Sequence, residues 1–277
     1  MKYEPELVFF CGANLLEGPV WDAKRQSVLC VSIEQSHIYH IDVETGNIKT
    51  FQTNGQVGCV LLMDENYMIA ATYNGLYKMD IDTGESEFLI QLNSDENLRY
   101  NDGTLDGRGR ILVGTTGYQC LAENRNCLYS WDGQQVKKLV TNTTISNGIA
   151  FSKDNKWMYF VDTPTRKVGR YFYDIEKGEA VFERFIIEIP DEEGVPDGIC
   201  MDKDGMLWVA QWGGSKVSQW NADTGEKIGE IIMPCLNVSS CCIGGIDGDT
   251  LYVTTAKHDD GSVSEKMAGG LFSVKLR

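Results

Sequence analysis

Short runs of apolar, β-branched and aromatic residues recur along this chain, and their starts are 39 to 49 residues apart. Each run has the length of one buried strand, and no run continues into the 3.6-residue period of an amphipathic helix. The recurrence therefore indicates an internal repeat. The six runs are L-C-V-S-I from Leu29, M-I-A-A-T from Met68, I-L-V-G-T from Ile111, M-Y-F-V-D from Met158, L-W-V-A-Q from Leu207 and L-Y-V-T-T from Leu251.

The flanks of each run complete a unit of four antiparallel strands. A hydrophobic stretch and a tight polar turn precede the run, as in D-G-R-G at Asp106 and D-K-D-G at Asp202. A third stretch follows, such as H-I-Y-H-I-D at His37, and a fourth follows in the first five units. Four strands repeated about every 45 residues are typical of a propeller blade. We therefore predict an all-β fold, a six-bladed β-propeller with four antiparallel strands per blade.

The sixth unit lacks a fourth strand at its own end, where the chain finishes with L-F-S-V-K-L-R. The N-terminal segment E-L-V-F-F, Glu6 to Phe10, precedes the first unit without a partner. We predict that this segment completes the sixth blade and closes the ring, which would leave only short strand edges. We expect a single domain spanning residues 1–277.

Composition agrees with this fold and limits the partners. The 29 glycines, 6 prolines and 10% aromatic residues suit short strands joined by turns. A net charge of −15 without a Lys/Arg cluster argues against nucleic acid. No apolar run reaches about 18 residues, and Glu4 and Glu6 interrupt the start, so we expect no membrane association and no signal peptide.

Cysteine usage points to a reducing compartment. The chain has nine cysteines, an odd number, and none in C-x-x-C spacing. This pattern favours reduced thiols over disulfides or a zinc site. We therefore expect a cytoplasmic protein, present as a monomer or a weak homo-oligomer.

A ring of polar residues is expected at one mouth of the central channel. Innermost strands surround the propeller axis, so residues in equivalent register converge. Two carboxylates and two amides meeting there would need a partner, and a hard divalent cation satisfies their oxygens. The alternative is that they cap strand ends through backbone hydrogen bonds, and that the two cysteines only pack. Counting five residues back from each turn gives Glu17, Cys59, Asn101, Asn147, Asp197 and Cys242.

Several segments resemble the gluconolactonase, regucalcin and luciferin-regenerating-enzyme family over essentially the whole chain. They include L-L-E-G-P-V-W-D from Leu15, R-Y-N-D-G-T-L-D-G-R-G-R from Arg99, I-S-N-G-I-A-F-S from Ile145 and V-P-D-G-I-C-M-D-K-D-G from Val195. The family is one of six-bladed propellers. Its resemblance implies that Glu17, Asn147 and Asp197 are ligands of one divalent metal ion.

The same resemblance implies the substrate contacts. Arg99 and Asn101 match the family's substrate-binding pair, and Glu123 is the nearest candidate for a further substrate-contacting Glu in the loop after the third blade's second strand. Counting the register had already selected Asn101 without the family. We also expect four aromatic or imidazole side chains on loops at the same mouth: Tyr73, Tyr118, Trp212 and His258.

The expected chemistry is hydrolysis of a sugar lactone, an aldonolactone such as gluconolactone. A divalent ion would polarise the carbonyl and stabilise the oxyanion, and Asp197 would act as the general base for water. We expect Ca²⁺, with Zn²⁺, Mg²⁺ and Mn²⁺ as alternatives. The competing interpretation is a non-catalytic calcium-binding or protein-binding propeller, because this scaffold serves many purposes.

Overall fold

The computed structural model describes residues 3–258 and 266–276, and the strands within these residues form six four-stranded antiparallel sheets. The sheets are the blades of a six-bladed β-propeller, as the sequence predicted. Strand β1 (Glu6–Phe10) belongs to the last blade. Blade one contains β2 to β5: Leu16–Asp22, Ser27–Ser32, His37–Asp42 and Ile48–Gln52. Blade two contains β6 to β9: Val57–Leu62, Tyr67–Thr72, Gly75–Asp80 and Ser86–Ile90.

The remaining blades follow in chain order. Blade three contains β10 to β13: Leu98–Leu105, Ile111–Gly117, Asn126–Trp131 and Val136–Thr143. Blade four contains β14 to β17: Ser146–Phe151, Trp157–Asp162, Lys167–Asp174 and Glu179–Glu188. Blade five contains β18 to β21: Val195–Met201, Met206–Trp212, Lys216–Asn221 and Lys227–Ile232. Blade six contains β22 to β24: Asn237–Gly244, Thr250–Ala256 and Gly270–Lys275.

The N-terminal strand closes the ring. β1 pairs antiparallel with β24, and the order of the sixth sheet is β1-β24-β23-β22. The pairing brings Glu6 opposite Ser273 and Phe10 opposite Gly270. The predicted closure by residues Glu6 to Phe10 is therefore confirmed.

Apolar packing between neighbouring blades forms the core. The second strand of blade one is buried along its whole length, from Ser27 to Ser32. Leu29 and Val31 of this strand pack in one cluster with Val60 and Met68 of blade two. A strand covered on both faces reads as a continuous apolar run rather than an alternating one. This explains why the second strands gave the clearest repeat in the sequence.

The innermost strands β2, β6, β10, β14, β18 and β22 contact one another around the axis. Their order along the ring follows the order of the blades, so residues far apart in the chain meet in the channel. Short 3₁₀ turns occur at Thr163–Thr165 and Asp191–Glu193. Among the described residues, no helix is long and apolar enough to cross a membrane.

Candidate functional site

A β-bulge interrupts each innermost strand near its start. The ladder pairs at one level of four blades are Leu16–Ser32, Tyr100–Thr115, Ser146–Asp162 and Pro196–Gln211; the bulge follows directly in blades three to five and one pair later, after Glu17–Val31, in blade one. The next residues are Glu17, Asn101, Asn147 and Asp197, and all four are at least nine-tenths buried. Bulges re-aim side chains and tighten the local twist. The structure therefore brings together the four polar residues that the register count selected.

The register count was wrong in the other two blades. The equivalent ladder pairs are Val57–Thr72 in blade two and Val238–Thr255 in blade six. The residues that follow them are Gly58 and Ser239, not Cys59 and Cys242. The Ser239 hydroxyl donates to the Leu16 carbonyl at 2.6 Å and so links blade six to blade one. Both cysteines instead line the wall of the channel.

Hydrogen bonds fix the orientation of the two amides. Asn101 Nδ2 donates to Asn147 Oδ1 at 2.5 Å and to the Ser146 carbonyl at 3.0 Å. Arg99 Nη1 donates to Asn101 Oδ1 at 2.8 Å and to the Tyr100 carbonyl at 2.9 Å. The three side chains therefore form a chain of hydrogen bonds in which Arg99 donates to Asn101 and Asn101 donates to Asn147. The predicted pair of Arg99 and Asn101 is one connected unit beside Asn147.

The two carboxylates of the ring have too few partners for their burial. Glu17 Oε2 accepts from the Gly18 N–H at 3.0 Å, whereas Asp197 Oδ1 has no hydrogen-bond partner. Burial, followed by the charge of Asp102, raises the pKa of Glu17 to about 8. Burial, followed by the charges of Glu17 and Asp102, raises the pKa of Asp197 well above its usual range. Both groups lack a compensating positive charge of sufficient strength.

Arg99 supplies part of the missing positive charge. Burial lowers the pKa of its guanidinium to about 10, and the charges of Glu17, Glu34 and Asp197 oppose that decrease. An arginine at this pKa stays protonated at neutral pH. Its charge in turn lowers the pKa of Glu17 and Asp197, but burial outweighs this effect in both.

Asp102 is a third carboxylate beside the ring, partly buried, that the sequence analysis did not select. It lies in the bulge beside Asn101 and lines a cavity of about 450 Å³ along the channel, which Gly18 and Ser240 also border. Burial raises its pKa to about 6. In the sequence Asp102 is the residue after Asn101 in the segment N-D-G. Its proximity to Glu17 and Asp197, whose pKa values its charge raises, is visible only in the folded structure.

Glycines after the ring residues allow the innermost strands to approach closely. A Cβ at Gly198 would lie 2.1 Å from Ser240 Oγ, and one at Gly148 would lie 2.6 Å from the Asp197 carbonyl oxygen. Real Cβ atoms do not approach so closely, so any side chain here would push neighbouring blades apart. The N-G and D-G steps of the sequence are thus a requirement of the narrow ring.

The donor set fits a hard divalent cation. Glu17, Asn147 and Asp197 present carboxylate and amide oxygens, which Ca²⁺ and similar ions prefer. The unpartnered Oδ1 of Asp197 and the raised pKa values of both carboxylates mark a site that lacks positive charge. Within residues 3–258 and 266–276 no three His, Cys, Asp or Glu side chains form a metal cluster; the third oxygen donor of this set, Asn147, is an amide.

The remaining predicted residues lie on or near the loops. Glu123 is exposed between β11 and β12, and the described residues include no hydrogen bond or ion pair from it to Arg99 or Asn101. Its role stays a prediction. The rings of Tyr73 and Tyr118 stack with centroids 4.4 Å apart, and the Tyr73 hydroxyl donates to the Glu96 carbonyl at 2.8 Å.

Two further aromatic or imidazole positions differ from the expectation in detail. Trp212 ends strand β19, where it pairs with Val195 at the start of the fifth innermost strand. His258 lies two residues beyond strand β23 and is partly buried. The contribution of either residue to ligand binding stays a prediction.

Comparison with known proteins gives a consistent result. The family model described as SMP-30/Gluconolactonase/LRE-like region matches residues 15–257. Regucalcin of Homo sapiens is 30% identical over 267 residues, which are 93% of this chain and 89% of regucalcin. All four ring residues lie inside the matched region.

Two solved structures show the same fold at lower identity. One is a calcium-binding protein, regucalcin, from Agrobacterium tumefaciens, with a TM-score of 0.92, 24% identity and coverage of 100% of this chain and 96% of that one. The other is a gluconolactonase from Xanthomonas campestris, with a TM-score of 0.82, 18% identity and coverage of 99% and 90%. At these identities the likeness concerns the fold alone.

Proposed function

Because this chain belongs to the SMP-30/gluconolactonase/LRE-like family, we propose that it is a metal-dependent hydrolase that opens sugar lactones. The observation that carries the proposal is the buried Asp197 Oδ1, which has no hydrogen-bond partner and lies beside a second buried carboxylate, Glu17. A structural carboxylate at this depth would be hydrogen-bonded. An unsatisfied one in a channel marks a position kept for a ligand and a reaction.

Glu17, Asn147 and Asp197 would hold one divalent cation, for which Ca²⁺ is our choice among Ca²⁺, Zn²⁺, Mg²⁺ and Mn²⁺. When bound, this ion would polarise the lactone carbonyl and keep both carboxylates ionised. The all-oxygen donor set favours a hard ion. The similar structure from Agrobacterium tumefaciens is that of a calcium-binding protein, which supports the same choice.

The chain's own residues supply the remaining functions. Asp197 would take a proton from water at its unpartnered Oδ1 as that water adds to the lactone carbonyl carbon. The ring C–O bond then breaks, and the proton passes to the departing ring oxygen to give a hydroxy acid. Arg99 keeps unused guanidinium donors suited to the lactone oxygens, and it holds Asn101 in position.

An assay of the purified protein against a panel of aldonolactones tests this proposal. Acid release in a pH-stat, with Ca²⁺, Zn²⁺, Mg²⁺ or Mn²⁺ added to EDTA-treated protein, should show hydrolysis that depends on the metal. Cation binding without turnover of any lactone would contradict the proposal and favour a non-catalytic binding propeller. Turnover that persists in excess EDTA would contradict the metal requirement alone.

A further inference from the structure

Thr163 lies directly behind the ring and was not selected from the sequence. It begins the 3₁₀ turn after β15, and its side chain is buried. Its Oγ1 lies 2.7 Å from Asn147 Nδ2 and 2.9 Å from the Pro196 carbonyl oxygen. One hydroxyl thus joins the bulge that carries Asn147 to the residue immediately before Asp197.

Proton counting assigns both bonds without ambiguity. A carbonyl oxygen only accepts, so the single hydroxyl proton of Thr163 is donated to Pro196. The Thr163 oxygen must then accept from Asn147, which places the NH₂ group of Asn147 toward Thr163. Asn101 donates to the other end of the same amide at 2.5 Å. The Asn147 amide is therefore held at both ends, with Oδ1 on the side of Asn101 and Nδ2 on the side of Thr163.

We infer that Thr163 is a positioning residue for the cation: its hydroxyl fixes Asn147 with the oxygen, rather than the nitrogen, toward the ion, and it ties the Asp197 bulge to the same anchor. This inference rests on the proposed cation site. An NH₂ group cannot coordinate a cation, so a rotated amide would remove one ligand. Groups that orient metal ligands commonly change affinity tenfold to a hundredfold when they are removed.

The turn that carries Thr163 is itself held firmly. The Thr163 N–H donates to the Ile145 carbonyl at 3.2 Å, and Asp162 Oδ1 accepts from the N–H groups of Thr144 and Ile145 at 3.0 and 2.9 Å. The second strand of blade four thus fixes the hydroxyl relative to the start of β14. Because β14 also carries Asn147, Thr163 and Asn147 lie in the same blade. The hydrogen bond from Thr163 to the Pro196 carbonyl connects them to blade five.

The test compares Thr163→Val, which keeps the shape and removes the hydroxyl, with Thr163→Ser, which keeps the hydroxyl. Isothermal titration of metal-free protein with Ca²⁺, repeated with Mn²⁺ and followed by electron paramagnetic resonance, measures affinity without any lactone. T163V should weaken binding of both ions by about tenfold or more, and T163S should retain wild-type affinity. Unchanged affinity in T163V would overturn the inference.

A second measurement does not depend on how well T163V folds. In the wild type, the side-chain NH₂ protons of Asn147, assigned by their loss in Asn147→Asp, should exchange slowly with solvent. Rapid exchange would contradict the anchoring by Thr163.

The proposed reaction and this inference fail in different ways. If the wild type binds Ca²⁺ but hydrolyses no lactone, the proposed reaction is contradicted and the role of Thr163 in positioning Asn147 is not. If T163V binds both ions and hydrolyses lactones as the wild type does, the role of Thr163 is contradicted and the proposed reaction is not. A wild type that binds neither ion would overturn both.

Discussion

Buried carboxylates lie at both ends of the innermost strands, and they differ in the number of hydrogen-bond donors around them. Asp106, just after β10, and Asp197, at the bulge of β18, are each 5% exposed. Asp106 Oδ1 accepts from the N–H groups of Arg108 and Arg110, both at 2.9 Å. Its Oδ2 accepts from Arg110 Nη1 and from the Tyr173 hydroxyl, both at 2.8 Å.

Equal burial therefore produces opposite pKa shifts. Burial raises the pKa of Asp106, but its hydrogen bonds with Arg110 and Tyr173 outweigh burial and hold the pKa below the usual value. In Asp197 burial acts with the charges of Glu17 and Asp102, and the pKa rises. The number of donors around a carboxylate, rather than its depth, decides whether it stabilises the fold. Asp106 therefore links blades three and four through Tyr173, whereas Asp197 Oδ1 has no such partner.

The largest expected effect is that of Asp197→Asn. Loss of the proton acceptor should lower kcat/KM for lactone hydrolysis by about a thousandfold. The same change removes a buried, poorly compensated charge, so the metal-free variant should melt at a higher temperature than the wild type. Steady-state assays and thermal melts in EDTA measure both. Asp191→Asn is the matched control, because that side chain is 96% exposed and only pairs with Arg166 at the surface. A less stable D197N protein would contradict the contrast between the two ends.

The next effect concerns Asp106→Asn. It should lower the free energy of unfolding by about 3 kcal/mol, because Arg110 and Tyr173 lose a buried charged acceptor. The control is Asp64→Asn in the equivalent turn of blade two, where an exposed carboxylate accepts only the Asn66 and Tyr67 N–H groups at 2.8 and 2.9 Å. D64N should cost less than about 1 kcal/mol. Urea denaturation checks both, and equal losses would refute the distinction.

Acid titration sharpens this prediction. The folded pKa of Asp106 lies below the ordinary 3.8, so the unfolded chain binds a proton first as the pH falls. The stabilisation by Asp106 is complete above the ordinary value and is lost as the pH decreases through the folded pKa. Between about pH 5 and about pH 3, the difference in stability between wild type and D106N should therefore shrink. A difference that stays constant would mean that charge contributes nothing.

Sequence reasoning succeeded where periodicity or a fixed turn decides the position. The second strands, the closing strand Glu6–Phe10 and four of the ring residues were all found in this way. It failed in blades two and six because the count started from an Asp that does not occupy the equivalent turn position. In blade two Met63, not Asp64, occupies the turn position, because its N–H donates to the Tyr67 carbonyl as that of Asp106 does to Arg110 in blade three; in blade six the strand runs on to Gly244. The pairing register, not the count, selects Gly58 and Ser239.

Residues whose role depends on another blade could not be found from the sequence. Thr163 matters only because the Pro196 carbonyl of blade five reaches it. Asp102 matters because its charge acts on Glu17 of blade one and Asp197 of blade five. Nothing local distinguishes either residue from an ordinary turn Thr or strand-end Asp. Such contacts follow from ring closure, which brings together strands that are far apart in the chain.

The smallest expected effect concerns the thiols around the channel carboxylates. Burial raises the pKa of Cys59, and the hydrogen bond with the Cys241 thiol, 3.6 Å away, followed by burial, raises the pKa of Cys200. Thiolates are the reactive form, so these groups should resist alkylation, whereas Cys120 is exposed. A disulfide reagent at about pH 8 should label one thiol per native chain rapidly, and Cys120→Ser should abolish that phase without altering hydrolysis. Rapid labelling in the C120S variant that is lost again on substitution of Cys59, Cys200 or Cys242 would show that channel thiols ionise and would contradict this prediction.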